Sequence, residues 1–127
     1  MTTLNDYLYI SKTIPETPDV NRLELTEPST VKTTASEIKF FKDGADTEDG
    51  EALGKITFYG KDSAKNETQF GEIVGSINES NDTDEAGILE LKVGESDGTT
   101  STITTGLKLT GSKTTDGQID VELGSAI

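Results

Sequence analysis

From about residue 36 onward, apolar and polar positions alternate with a period of two. Ile38 and Phe40 flank Lys39, Ile56 and Phe58 flank Thr57, and Leu89, Leu91 and Val93 are separated by Glu90 and Lys92. The spacing returns in Leu107 and Leu109 around Lys108, and in Ile119, Val121 and Leu123 around Asp120 and Glu122. Alternation at this period sends apolar side chains to one face and charges to the other, which predicts half-buried antiparallel strands. No window of comparable length has helical spacing, so the chain is expected to be essentially all-β.

Turn signals separate these runs: Lys42-Asp43-Gly44, Asp49-Gly50, Gly60-Lys61-Asp62, a polar stretch from Asn78 to Gly87, Ser96-Asp97-Gly98 and Asp116-Gly117. Asp-Gly pairs and Asn-rich clusters supply the positive φ angles and local hydrogen bonds of tight turns. Serial strands joined this way form a meander, sandwich-like or closed with other copies into a prism. The segment Gly98–Thr105 is rich in threonine, whose β-branching favours strand while adding little apolar area.

Residues 1–35 differ from this module of residues 36–127. They hold all three prolines, Pro15, Pro18 and Pro28, and two brief strand candidates, Tyr7–Ser11 and Arg22–Leu25. Proline removes a ladder donor and restricts the residue before it. The expectation is an extended N-terminal arm that docks on a neighbouring subunit through Tyr7, Tyr9, Ile10, Leu23 and Leu25, with a partly ordered terminus as the plainer alternative.

Composition then changes the picture. Leu, Ile, Val and Phe make up about 23% of the 127 residues, just above the ~20% level below which a highly charged chain is usually disordered. A formal net charge of −13 pushes the same way. Regular alternation argues against disorder, and the two are reconciled if several copies bury together what one chain cannot. The stripe formed by Leu107, Leu109, Ile119, Val121 and Leu123 is marginal as a lone hairpin. Three copies about an axis would bury such stripes against one another, so a homotrimer is expected, with Ile56, Phe58, Leu89, Leu91 and Val93 sharing the same core or interface.

Charge and residue usage also exclude partners and chemistries. An acidic protein repels phosphates, so neither nucleic acid nor an anionic membrane is an expected partner. The sequence has no cysteine and no histidine, which removes thiolate sites, disulfides, the commonest metal ligand and the usual general base near neutral pH. The N-terminal stretch has neither a basic n-region nor an apolar run long enough for a signal peptide or membrane span, so synthesis and assembly inside a cell are expected. The sequons at Asn66, Asn78 and Asn81 are read as polar loops.

The ordered series "LGKITFYGKD" (53–62), "TQFGEIVGSINESNDTDEAGILELKVGESDGT" (68–99) and "TTGLKLTGSKTTDGQIDVELG" (104–124) resembles a module of tailed-phage virion proteins, such as tail-fibre and virion structural proteins of marine and cyanobacterial phages. The resemblance covers residues 53–124. It implies a non-enzymatic virion component, usually trimeric, assembled in the host cytoplasm, with other virion proteins as partners. Members of that family are often longer, with further repeats and a receptor-binding tip. The shorter chain here points toward attachment, neck or capsid decoration, with the N-terminal arm as the docking part.

Other chemistry is weaker. Asp43, Asp46, Glu48 and Asp49 share one loop, and Asn81, Asp82, Asp84 and Glu85 another. Hard cations take several oxygen ligands, but neither loop has the twelve-residue calcium-loop spacing, so both are read as solvated turns. With 24 Asp and Glu, some pair of carboxylates will always suit a glycosidase separation, which makes the match uninformative. A Ser-Lys nucleophile has no supporting motif, and no cofactor or enzymatic activity is expected. Among the aromatic residues, alternation sends Phe40 and Phe58 inward and Phe41 and Tyr59 to the other face. There a neighbouring subunit is the favoured partner, and a carbohydrate-binding or adhesin role at a fibre tip or cell surface is the alternative.

Overall fold

The computed structural model describes residues 24–124, and the chain divides into two units, 1–38 and 39–127. Tyr7, Tyr9, Ile10 and Leu23 lie outside the described residues. In the first unit residues 24–38 have no regular secondary structure, and Leu25 is exposed. Local bonds shape this stretch: Ser29 N–H donates to the Glu27 carboxylate, and Thr34 N–H donates to the Val31 carbonyl.

The second unit holds five strands, β1 (Ala52–Lys61), β2 (Glu67–Glu79), β3 (Ala86–Ser96), β4 (Ser101–Gly111) and β5 (Ile119–Leu123). They form one antiparallel sheet in the order β1-β2-β3-β4-β5. The described part of the unit is thus an all-β meander of one layer, with no second sheet to make a sandwich.

Each reversal is fixed by a side chain accepting backbone N–H groups. Asp62 accepts from the N–H and Nδ2 of Asn66 at 2.9 and 3.1 Å, across a turn in which Lys65 has a φ of 71°. Glu79 accepts from Ser80 and Asn81 N–H at the β2–β3 turn. Asp97 accepts from Thr99 and Thr100 N–H, both at 2.8 Å, beside Gly98 with its φ of 90°. Ser112 Oγ does the same for Thr114 and Thr115 N–H in the β4–β5 loop. Such local acceptors lower the cost of closing each hairpin.

Two expectations are corrected. Ile38–Phe40 is not a strand, because no neighbouring strand takes up its hydrogen bonds; Phe40 instead lies over Gly54, where an added Cβ would come 2.5 Å from the Phe40 Cβ. The Asn78–Gly87 loop is shorter than its composition suggests, since β2 runs to Glu79 and β3 starts at Ala86. Gly106 sits inside β4, where the register with β3 shifts by one residue. That bulge stores one extra residue on β4 and keeps Thr105 on the face of Lys92 and Leu107 on the face of Leu91.

Val74 is the one buried large hydrophobic residue among those described, 6% exposed. Its cross-strand neighbours are Lys55 and Glu90, whose long stems are the material available to cover it. Truncation of Val74 to Ala is expected to destabilise the sheet by about 1–2 kcal/mol, the worth of two buried methyl groups. The loss should be independent of protein concentration in chemical denaturation, because it arises within one chain.

Candidate functional site

The registers place the candidate residues in rows across the sheet. Ile56, Ile73, Leu91, Leu107 and Leu123 form one row; Gly75, Leu89, Leu109 and Val121 form the next; Phe58, Gly71 and Val93 lie beyond them. Ile119 continues the β5 set beside Gly111. All ten expected positions, Ile56, Phe58, Leu89, Leu91, Val93, Leu107, Leu109, Ile119, Val121 and Leu123, therefore share one face.

Three further apolar residues belong to that face. Ile73 and Ile77 follow from the alternation Ile73-x-Gly75-x-Ile77, which is legible in sequence once the glycine is read as a gap in the row. Phe70 joins through a shift in register between β1 and β2, and its ring lies where a Cβ on Gly60 would come within 3.2 Å. Nothing in the pattern signals that shift.

The face is bare. Along β3, Leu89, Leu91 and Val93 are exposed, whereas Ile88, Glu90 and Lys92 on the opposite face are half-buried. At the free edge the exposure is greatest, 64% for Ile119 and 66% for Leu123. Along β3 the usual relation is inverted, with polar side chains better covered than apolar ones. An apolar surface spanning five strands is far larger than the scattered exposed leucines of ordinary proteins, and surfaces of that kind mark interaction sites.

The opposite face covers itself. Lys55 approaches Glu72 at 3.8 Å, Lys92 approaches Glu90 at 3.4 Å, and Lys108 approaches Glu122 at 3.3 Å. Thr105 Oγ1 donates to Glu90 at 2.8 Å. Tyr59 also lies here, its hydroxyl donating to Gln69 Oε1 at 3.0 Å. Phe41, before β1, is 73% exposed with Lys39 Nζ at 5.3 Å from its ring centroid.

The acidic loops are used in turns. Asp49 accepts from Ser80 N–H and Oγ at 2.9 and 3.0 Å, which ties the segment before β1 to the β2–β3 turn. Glu51 pairs with Lys42, and that partner holds its carboxyl below the ordinary value. Among the described residues no three acidic side chains converge so as to hold a metal ion. No described helix is long and apolar enough to cross a membrane. Comparison with protein-family models, with curated proteins and with solved structures finds no match.

Two turn carboxyls are lowered by their geometry, Asp62 by the Asn66 side chain and backbone, and Asp97 by the N–H groups of Thr100 and Thr99. A lowered folded-state value means stability that is complete above the ordinary carboxylate range and is lost as pH falls through the folded value. Asp97→Asn is therefore expected to lower the Tm at pH 7. The gap to the parent chain should close as the pH is taken below about 4, the ordinary Asp value. A gap that persisted in acid would mean the carboxylate charge is not what holds the turn.

Proposed function

We propose that this protein is a non-enzymatic structural module of a phage virion, of fibre type or decorating the head or tail, that works by self-assembly through the apolar face of its sheet. The observation that carries the reading is the inversion of burial across β3. A sheet whose apolar side faces water gains by association, because the surface left exposed in one copy is buried among several.

Sheet width supports three copies. Five strands at about 4.8 Å spacing make a sheet about 24 Å wide. Three such sheets in a triangle stand about 7 Å from the common axis, close to the ~5 Å that is half the spacing of two packed sheets. Four in a square would stand about 12 Å away and leave an unfilled channel on the same scale. The virion setting rests on the resemblance of residues 53–124, and in that setting the arm of residues 1–35 is the part that docks onto the particle.

A second reading, a carbohydrate-binding or adhesin module, draws on the exposure of Phe41 and Tyr59. It has two rings to call on, one beside Lys39 and one tethered through Gln69. The assembly reading has a whole sheet face, and it is preferred for that reason.

Light scattering on the intact chain is expected to give three times the 13.5 kDa protomer mass, and to give a trimer again after removal of residues 1–35. Leu91→Glu, placing a charge at the centre of the face, should yield monomers that keep their β circular dichroism. A parent chain that stays a folded monomer at every concentration would overturn the assembly reading, and protection of Phe41 and Tyr59 by glycans would then favour the second.

A further inference from the structure

The two free edges of the sheet carry opposite charge. β1, ALGKITFYGK, holds Lys55 and Lys61 and no acidic residue; β5, IDVEL, holds Asp120 and Glu122 and no basic one. In a chain with 24 acidic and 11 basic residues, the two outermost strands are thus of opposite sign. Alternation puts Lys55 and Lys61 of β1 on the charged face, and the registers put Asp120 and Glu122 there too. Among the described residues both strands are outermost in the sheet, and no described strand pairs with the outer side of either.

Unpaired edges are templates for another strand, and their charges decide which one. A β5–β5 contact about a two-fold axis centred on Val121 sets Asp120 of each copy against Glu122 of the other. A β1–β1 contact offers only lysines to lysines. Like charges opposed across strands are destabilising, so each edge rejects itself. A β5–β1 contact opposes carboxylates to ammonium groups, and it aligns Ile119, Val121 and Leu123 with the Ile56 and Phe58 side of the next copy.

From this complementarity we infer that β5 of one copy lies beside β1 of the next, so that the copies join head to tail and close as a ring around their apolar faces. The inference rests on the assembly reading above and specifies the partner edge within it. β1 and β5 run in the same direction in a five-stranded antiparallel meander, so rotation about the ring axis makes the junction parallel. Identical heterologous contacts close when the rotation allows it, and burial of the apolar face supplies the reason to close. Lysine stems are long enough to reach round the bend between adjacent sheets.

The test uses the full chain in three forms, Asp120→Lys with Glu122→Lys, Lys55→Glu with Lys61→Glu, and all four changes together. Dilution series followed by light scattering give the concentration at which half the chains are assembled. Each pair of reversals alone should raise it about tenfold or more. The combination should return it to within about threefold of the parent, although the Lys55–Glu72 and Lys108–Glu122 contacts inside each copy are then both disturbed. The β5 reversal makes the chain less negative overall, so weakened assembly in that form runs against the effect of net charge. Two alternatives would overturn the head-to-tail junction: half-assembly concentrations that do not move, or a combined form weaker than either pair. A parent chain that never assembles would overturn the assembly reading itself, and the junction with it.

Discussion

A single sheet has two faces, and this chain supplies a cover for only one of them. On the charged face Lys and Glu side chains pair with one another, and Val74 is buried there with Lys55 and Glu90 as its cross-strand neighbours. Branched and aromatic side chains on the other face are short and stand upright from the pleat. Cross-strand neighbours cover one another only from the side, so Ile56, Leu91 and Leu123 of the row stay exposed while Ile73 and Leu107 between them are half-buried. Every other feature of the module is arranged around that unmet burial.

The acidity of the chain has a structural share in this arrangement. Asp62, Glu79 and Asp97 each accept backbone N–H groups at a reversal, and Asp49 ties the approach of β1 to the β2–β3 turn. Charge that looks, in composition, like a mark of disorder is thus placed where it closes hairpins. With turns fixed locally, the meander has mostly neighbour-to-neighbour pairing, and its register does not depend on a packed core.

Much of the sheet was legible because period two survives wherever a strand is flanked by partners. Leu89-Leu91-Val93 and Ile119-Val121-Leu123 read directly as strand faces. Ile38–Phe40 has the same pattern and forms no strand, since alternation describes a surface and says nothing about whether an edge is available to pair with it. The bulges at Leu53, Phe70 and Gly106 were not legible, because an extra residue is stored in one strand while its partner runs on without a gap. Phe70 entered the apolar face through such a shift. The sequence also shows that the two faces differ and cannot show which is covered; that depends on side-chain length and reach in three dimensions.

Magnitudes decide whether a chain of net charge −13 can bring such faces together. An ordinary interface covers about 800 Å² per copy, and only its apolar share, a little over half, contributes through removal from water. Loss of free translation and rotation costs about 4–15 kcal/mol. Repulsion between the charged faces is smaller, because those faces point away from the apolar core and are screened beyond about 8–10 Å at moderate salt. In the proposed assembly, apolar burial is the term that favours association, and charge is left to select which edges meet. Salt acts on the two terms with opposite sign, relieving the general repulsion while weakening attraction at the β1 and β5 edges. On the proposed junction, strength of association and choice of partner edge are separable, the first resting on the apolar rows and the second on the charges of Lys55, Lys61, Asp120 and Glu122.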